Sequence, residues 1–329
     1  MDIADLLAFS VKHGASDLHL SAGVAPMLRV DGEIQRSDLP VLAPAAAREL
    51  IHSVMNSAQR SAFESAHEAD FSYAVPGLGR FRVNAFEQQR GAGAVFRSIT
   101  AQVPSLEGLG LGEVFKGLCG LSQGLVLVTG ATGSGKSTTL AAMIDHINAT
   151  RQQHILTIED PIEYLHAPRQ CLINQREVHR DTHSVAAALR SALREDPDVI
   201  MLGELRDLET IRLALTAAET GHLVLATLHT ASAAKAVDRI IDVFAADEKA
   251  MVRTMLSESL QGVIAQTLVK RVGGGRVAAH EIMLATPAIR NLIRENKVAQ
   301  MVSAIQTGAA AGMQTLEMSL KRLKENGLI

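Results

Sequence analysis

A glycine-rich segment near the middle of the sequence has the residue types that bind phosphate. Residues 130–138 contain the pattern G-x-x-x-x-G-K-S, and they follow a largely apolar run, 125–129. After the segment, Leu140, Met143 and Ile144 recur at helical spacing. A strand, a glycine-rich turn and a helix, in that order, are the context of a phosphate-binding loop. Glycines allow the backbone N–H groups to converge on an anion, and the helix adds the positive end of its dipole.

This loop predicts that the chain binds ATP with Mg²⁺. Lys136 would reach the β- and γ-phosphates, and Ser137 would hold the metal ion. A glycine-rich turn that binds no ligand is the alternative, but here the motif and its strand–helix context agree. The predicted nucleotide-binding residues are Gly130, Ala131, Thr132, Gly133, Ser134, Gly135, Lys136, Ser137 and Thr138.

Polar residues also follow three other predicted strands, 154–158, 199–202 and 223–228. These apolar strands alternate with helices, which predicts an α/β fold with a mostly parallel sheet covered on both faces. In such sheets ligands bind at the carboxyl ends of the strands. The polar residues at these ends are Glu159, Asp160 and Glu163, then Gly203 and Glu204, and then Thr227, His229 and Thr230.

Two carboxylates and one histidine at this edge are the candidate catalytic residues. ATP hydrolysis needs an acceptor that orients and deprotonates a water, and a carboxylate that orders Mg²⁺. Glu204 ends a buried strand and is the predicted base or water-orienting residue. Glu163 is predicted to assist it, or to hold Mg²⁺ through a water. Any single carboxylate could instead be a helix cap or a surface charge.

The two histidines of the strand 223–228 are predicted to differ. His229 ends the strand on the ligand side, where it could sense a γ-phosphate. His222 begins it, and seven steps of about 3.3 Å would place the two roughly 23 Å apart. His222 is therefore predicted to be an interface or structural residue.

The remaining patterns divide the 329 residues into four parts. An α+β domain with a hairpin turn at Asp31-Gly32 is predicted first, and it includes one helical stretch over 44–65. A segment with Pro104 and five glycines is predicted to be a linker with a short helix near Leu111–Leu118. A tail of amphipathic helices begins at Thr286-Pro287. The predicted boundaries are 1–98 for the first domain, 99–122 for the linker, 123–285 for the ATPase domain and 286–329 for the helical tail.

Composition argues against several classes of protein. The net charge of −3, the absence of Trp and the 2 Tyr give little support for nucleic-acid binding. Two cysteines suit neither a four-cysteine zinc site nor a disulfide framework, which favours a reducing compartment. The sequence shows no signal-peptide pattern and no run of eighteen apolar residues. A soluble protein without direct membrane insertion is therefore expected, with any membrane role arising through a partner.

Four arginines, Arg80, Arg82, Arg90 and Arg97, fall within eighteen positions of the first domain. Their spacing leaves two interpretations open. They could form a solvated strand face, or some of them could reach an ATP bound to a neighbouring subunit and stabilise the transferring phosphate.

Taken together, the motifs resemble the secretion-type hexameric ATPases, and in particular the retraction ATPases of type IV pili. Beside the phosphate loop, the sequence ILTIEDPIE is similar to the family's aspartate box, and DVIMLGE to its Walker B motif with Gly203 where many ATPases have Asp. Gly221–Thr230 resembles its histidine box, and AIRNLIRE a motif associated with retraction. Ala131 departs from the usual proline, but the anion-binding groups are unaffected. The motifs lie at 155–163, 198–204, 221–230 and 288–295.

The resemblance covers essentially the whole chain and implies more than the patterns alone. It implies a PAS-like N-terminal domain, a RecA-like P-loop ATPase core and a ring of six identical subunits. Arg82 and Arg97 match the family's trans-acting arginines. The implied partners are the inner-membrane platform protein of the pilus and a sister retraction ATPase. The implied location is cytoplasmic, peripheral to the inner membrane at the pilus base, and the tail motif is implied to be needed for retraction.

The expected function is therefore ATP hydrolysis that powers pilus retraction and twitching motility. One alternative is a pilus-assembly or type II secretion motor of the same superfamily; such motors generally carry extra N-terminal domains and often a four-cysteine metal module. A nucleic-acid translocase is a second alternative, disfavoured by charge and composition. A purely regulatory nucleotide binder is a third.

Overall fold

The chain folds as two units that divide between Gln102 and Val103, in a computed structural model that describes residues 2–99 and 102–329. Thr100 and Ala101, which belong to the predicted linker, lie outside the described residues. In the described part of the chain, no helix is both long and apolar enough to cross a membrane.

An antiparallel sheet with helices packed on it forms the first unit. Its strand order is β3-β2-β1-β6-β5-β4. One face carries buried apolar side chains such as Leu18, Phe81 and Phe96, and the other carries polar ones. The helices described in residues 2–99 are α1 (Ile3–Lys12), α2 (Pro44–His52) and α3 (Ser57–Ala66), and the strands are β1 (Asp17–Ser21), β2 (Met27–Val30), β3 (Glu33–Arg36), β4 (Glu68–Val75), β5 (Gly79–Gln88) and β6 (Gly91–Ile99).

The helical stretch predicted over 44–65 is two helices rather than one. The side chain of Asn56 accepts a hydrogen bond from the backbone N–H of Gln59, and the Gln59 side chain accepts one from the backbone N–H of Asn56. This reciprocal cap starts a new helix at Ser57 and separates it from α2. The apolar pattern of both helices is similar, so periodicity alone merges them.

The second unit is built on a largely parallel sheet with the order β13-β12-β7-β11-β10-β8-β9. The hairpin of β12 and β13 is antiparallel, and the other pairings are parallel. The strands described in residues 102–329 are β7 (Gly124–Thr129), β8 (His154–Glu159), β9 (Leu172–Glu177), β10 (Val199–Leu202), β11 (Leu223–Leu228), β12 (Leu260–Lys270) and β13 (Arg276–Leu284).

Helices cover this sheet, and four central strands, β7, β8, β10 and β11, are buried along almost their whole length. This arrangement confirms the predicted α/β class, because strands covered on both faces need continuous apolar sequences. The helices are α4 (Glu113–Cys119), α5 (Lys136–Thr150), α6 (Val185–Ala192), α7 (Leu208–Glu219), α8 (Ala233–Asp242), α9 (Lys249–Ser259), α10 (Pro287–Arg294), α11 (Met301–Thr307) and α12 (Leu316–Glu325), with 3₁₀ turns at Val298–Gln300 and Ala309–Ala311.

The segment 103–122 differs from the predicted linker, because it packs within the second unit. Leu106, Phe115 and Leu118 are almost fully buried and share a hydrophobic cluster with α5 and the sheet. The guanidinium of Arg151 donates to the carbonyl oxygens of Cys119 and Leu121, at 2.9 and 2.7 Å. Proline and glycine content marks irregular backbone, but it does not reveal whether the apolar residues between them find a core.

The helical tail is likewise part of the second unit. Ile289, Ile293, Met301 and Ile305 are at most 1% exposed and belong to the same cluster as the central strands. The tail therefore completes the core of this unit.

Candidate nucleotide-binding site

The phosphate-binding loop connects β7 to α5, where the motif and its context predict it. Gly130, Gly133 and Gly135 have φ angles of 149°, 78° and 87°, which L-residues with side chains rarely adopt. Two of them are also tightly packed. A Cβ at Gly130 would lie 2.3 Å from the main-chain oxygen of Gln266, and one at Gly135 would lie 2.8 Å from its Nε2. Glycine is therefore required at both ends of the turn.

Lys136 lies at the start of α5 with its ammonium group folded over the loop. Its Nζ donates to the carbonyl oxygens of Gly130 and Ala131, at 2.9 and 3.1 Å. An ammonium group has three donors, so one more remains for an anion once these two bonds within the described residues are made. Burial lowers the pKa of Lys136, and the carboxylates of Glu204 and Glu163 act in the opposite direction. Both glutamates therefore lie within electrostatic reach of the lysine.

Hydroxyl groups complete the lining of the loop. The Oγ atom of Ser134 is buried and has no hydrogen-bond partner among the described residues. An unsatisfied buried hydroxyl is costly and indicates a site that a polar ligand can complete. Ser137 is half-buried beside the lysine, and the Thr138 hydroxyl lies 3.0 Å from the Tyr164 hydroxyl. These donors fit a phosphate group.

The carboxylate of Glu204 lies just beyond the end of β10. Its Oε2 accepts from Nε of Arg206 at 2.8 Å, and its Oε1 lies 3.2 Å from Nε2 of His229. Backbone pairing brings these groups together. The Leu205 N–H donates to the Thr227 carbonyl at 3.0 Å, and the Thr227 hydroxyl donates to the Gly203 carbonyl. The structure therefore joins the ends of β10 and β11, as the parallel sheet predicts.

A pair of threonines joins the end of β11 to the start of the phosphate loop. The Thr129 hydroxyl donates to the carbonyl of Thr230 at 2.6 Å, and the Thr230 N–H donates back to that hydroxyl at 2.9 Å. His229, which precedes Thr230, is thus held at the same sheet edge as the loop.

The carboxylates at the end of β8 and just after it have very different surroundings. Glu159 is buried and accepts hydrogen bonds from the Thr157 hydroxyl at 2.7 Å and from Nε2 of Gln175 at 3.2 Å. Burial raises the pKa of Glu159 to about 7, although these hydrogen bonds oppose the shift. Asp160 and Glu163 are exposed. Glu163 is the one of the three whose charge acts on Lys136.

The predicted trans-acting arginines lie side by side in the first unit. Arg82 of β5 pairs in register with Arg97 of β6, so their side chains share one face of the sheet. Nε and Nη2 of Arg82 donate to the two carboxylate oxygens of Asp70, at 3.1 and 2.6 Å. Nε of Arg97 donates to Asp17 at 2.8 Å. Their side chains are 40% and 66% exposed, so both guanidinium groups remain accessible.

The other two arginines of this group have contacts within the unit. Arg80 is largely buried and donates from Nη2 to the Ser72 hydroxyl at 2.8 Å. Nε of Arg90 donates to the carbonyl of Ala22 at 3.0 Å.

His222 lies where α7 ends, away from the groups that line the loop edge. Its Nδ1 donates to the carbonyl of Ala217 at 3.0 Å and lies 3.4 Å from the Thr220 hydroxyl. This contact satisfies a carbonyl in the last turn of the helix, which fits the predicted structural role.

Sequence patterns did not identify several residues around the loop. Arg206 and Tyr164 contact the predicted site residues, and Gln266 contacts the loop from a strand 132 positions further along the chain than Ser134. The available signal for Gln266 was a polar side chain that interrupts the apolar run of β12.

The fold and the loop define a P-loop nucleotide-binding protein. The chain belongs to the Type II/IV secretion system protein family, whose sequence model matches residues 2–325. It is 68% identical over 329 residues to the type IV pilus retractation ATPase PilT of Pseudomonas aeruginosa, covering 100% of this chain and 96% of that protein. It is 59% identical over 305 residues to a twitching motility protein of Neisseria gonorrhoeae, covering 92% of this chain and 82% of that protein.

A solved structure agrees with these sequence relationships. The crystal structure of the pilus retraction motor PilT with bound ADP superposes on this chain with a TM-score of 0.93 and 49% identity, covering 100% of this chain and 94% of that one. The similarity confirms the predicted family resemblance and fold class.

Proposed function

We propose that this chain is an ATPase motor that hydrolyses ATP to power type IV pilus retraction and twitching motility. The observation that carries the proposal is full-length similarity to a retraction ATPase, at 68% identity, combined with an intact phosphate-binding loop. A carboxylate and a histidine at the neighbouring strand ends supply the polar groups that hydrolysis needs.

The loop and the first turn of α5 are assigned to bind ATP. The backbone N–H groups and the helix dipole hold the phosphates, and the Ser134 hydroxyl adds a donor. Lys136 contributes a positive charge that is already fixed against the loop by two carbonyl groups. Because this charge does not have to be ordered when ATP binds, it stabilises the phosphates at little entropic cost.

Mg²⁺ fits the oxygen donors beside the lysine, and when bound it neutralises charge on the β- and γ-phosphates. Ser137 is the residue we assign to hold it. Glu163 is exposed and its negative charge acts on Lys136, so we assign its carboxylate to hold Mg²⁺ through a water or to assist Glu204.

Glu204 is the residue assigned to orient the attacking water and accept its proton. The Arg206 guanidinium holds one carboxylate oxygen, and each oxygen retains acceptor capacity for a water. His229 lies 3.2 Å from the other oxygen. A change in the position of His229 on phosphate binding would therefore reorient Glu204, which makes the histidine a sensor of the γ-phosphate.

Arg82 and Arg97 are assigned to the ATP of a neighbouring subunit in a ring of six. A guanidinium that reaches the transferring phosphate stabilises the charge that develops there. Each arginine is paired with an aspartate of its own unit, Asp70 or Asp17. Engagement across the subunit interface exchanges a carboxylate partner for a phosphate partner.

The proposed partner is the inner-membrane platform protein at the pilus base, with a sister retraction ATPase as a second partner. This places the ring in the cytoplasm, peripheral to the inner membrane. The exposed residues of the motif 288–295 are the proposed platform contact, and they are Ala288, Asn291, Arg294 and Glu295.

Imaging of pili in a strain that lacks this gene tests the proposal. The wild-type gene should restore retraction events, and a Glu204→Gln gene should leave pili extended. Retraction at the wild-type rate with Glu204→Gln would contradict it.

A secretion or assembly motor is the second candidate, because the matching family is that of type II and IV secretion proteins. Loss of an assembly motor removes surface pili, whereas loss of a retraction motor leaves them in place.

A further inference from the structure

A buried glutamine from β12 lies against both ends of the phosphate-binding loop. β12 runs parallel to β7 with Ala265 opposite Thr129, so Gln266 lies beside Gly130. The main-chain oxygen and Nε2 of Gln266 are the atoms that would lie nearest to a Cβ at Gly130 and at Gly135. The turn of the loop is therefore shaped around this residue.

Hydrogen bonds hold the amide of Gln266 in one orientation. Nε2 donates to the carbonyl of Ser134 at 2.7 Å, and Oε1 accepts from the hydroxyl of Thr139 at 2.7 Å. The residue is 5% exposed, so water has little access to replace either partner. Rotating the amide by half a turn would place two acceptor oxygens against each other at Ser134. The donor end must therefore face the loop.

His280 of β13 supports this orientation with a third hydrogen bond. Its Nε2 lies 3.2 Å from Oε1 of Gln266. Burial, with a smaller effect of Arg322, lowers the pKa of His280 to about 4, so the ring is neutral at pH 7 and Nε2 carries the donated proton. The backbone N–H of His280 donates to the Ser319 hydroxyl at 3.1 Å, and the backbone carbonyl of His280 accepts from Nε2 of Gln314 at 3.0 Å. The histidine is thus anchored to the tail.

The bond to Ser134 fixes a whole peptide group of the loop. The carbonyl and N–H of a planar trans peptide point in opposite directions. Because the Ser134 carbonyl points at Gln266, the N–H of Gly135 points away from β12. Converging N–H groups on the concave side of such a loop form its anion site.

We propose that Gln266 is a positioning residue of the phosphate-binding loop, which directs the loop N–H groups at the phosphates through its bond to Ser134, and that His280 holds Gln266 in place. This inference rests on the proposed function, because it assumes that the loop binds ATP. It extends the site to two strands that carry none of the phosphate-binding motif.

Two variants of Gln266 separate hydrogen bonding from packing. Gln266→Met keeps the volume and removes all three side-chain hydrogen bonds, whereas Gln266→Glu keeps the acceptor oxygen and loses the donor to Ser134. The first measurement is hydrogen exchange of the amides of residues 130–139 without nucleotide, and the second is the affinity for ADP. We expect about tenfold faster loop exchange and about tenfold weaker ADP binding for Gln266→Met, the effect of losing the one buried hydrogen bond that holds the Ser134 carbonyl. At pH 8, Gln266→Glu should show a larger loss of ADP affinity and a larger increase in loop exchange than Gln266→Met.

A pair of histidine variants supplies the control. His280 and His166 are both buried, with pKa values lowered by burial to about 4. His280→Phe should speed exchange in the loop, and His166→Phe should leave the loop unchanged. A folded Gln266→Met protein with wild-type loop exchange would overturn the proposal, and so would faster exchange spread evenly over the second unit. If exchange is faster only in the loop of Gln266→Met, but the wild-type protein itself binds no ADP, the result would support the positioning role and overturn the proposed function instead.

Discussion

Helix α10 contains most of the segment 288–295, which resembles a motif associated with retraction, and the two faces of this helix should respond differently to substitution. Ile289 and Ile293 are fully buried in the core of the second unit. Nη1 of Arg290 donates to the carbonyl oxygens of Ser257 and Glu258, the latter at 2.7 Å. Arg294, in contrast, is exposed. Half of this motif therefore stabilises the fold, and the other half is available to a partner.

The expected difference in stability between substitutions on the two faces follows from burial. Removing a buried isoleucine side chain to Cβ costs about 2–5 kcal/mol, the lost transfer energy plus the cavity that remains. For a unit of this size, such a loss lowers the unfolding temperature by about 4–20 °C. A substitution at an exposed arginine usually changes stability by less than about 0.5 kcal/mol. Ile293→Ala and Arg294→Ala should therefore differ clearly in thermal unfolding.

Three measurements on each variant distinguish the two faces, namely thermal unfolding, ATP hydrolysis and pilus retraction in cells. Arg294→Ala should unfold and hydrolyse ATP like the wild type but fail to retract pili. Ile293→Ala should unfold at a lower temperature and lose hydrolysis and retraction together on warming. Arg276→Ala, which truncates an exposed arginine of β13, is the matched control and should behave like the wild type.

Two results would refute this reasoning. If Ile293→Ala unfolds at the wild-type temperature, the buried face does not support the core. If Arg294→Ala retracts pili normally, the exposed face is not the platform contact at that position.

Three further predictions concern the site. Lys136→Ala should lower kcat/KM for ATP by at least about 100-fold, because it removes the charge fixed against the phosphates, and a steady-state ATPase assay with unchanged kcat/KM would contradict its role. Arg82→Ala and Arg97→Ala should impair hydrolysis by assembled rings while isolated subunits bind ATP normally; Arg97→Lys, which retains a charge beside Asp17, controls for folding, and normal hydrolysis by mutant rings would refute the trans role. Burial raises the pKa of Glu159 to about 7 from an ordinary value of 4.5, so the folded state binds the proton more tightly, and stability falls as pH rises through this range. Relative to the wild type, Glu159→Gln should gain up to about 3 kcal/mol between pH 5 and pH 8 in chemical denaturation, and a parallel pH dependence of the two proteins would contradict this.

Much of the ATPase fold could be predicted because its signals are local. The run 125–129, the glycines and the apolar spacing of α5 lie within twenty-five residues of each other. β11 was predicted with the bounds that the structure shows, Leu223–Leu228, since a fully buried strand has a continuous apolar sequence. The parallel arrangement then predicted that Glu204 and His229 lie at one edge.

The rest depends on contacts between distant parts of the chain. β9 was not predicted, because it is an edge strand whose mixed sequence, LINQRE, has no clear alternation. The full length of β12 could not be predicted either, since polar residues such as Gln266 interrupt its apolar pattern. The hydrogen-bond partners of Arg82 and Arg97 could not be predicted from the sequence either, because strand register decides which aspartate each arginine contacts.

The central claim, that Glu204 is the group that activates water for ATP hydrolysis, is tested most directly by measuring ATP binding and phosphate release with purified wild-type, Glu204→Gln and Glu209→Gln proteins. Glu209 is an exposed glutamate in the first turn of α7 and is the matched control. Glu204→Gln should bind ATP with the wild-type affinity and release phosphate about 100- to 10,000-fold more slowly, whereas Glu209→Gln should match the wild type. Wild-type phosphate release by Glu204→Gln, or no release by the assembled wild-type protein, would contradict the account.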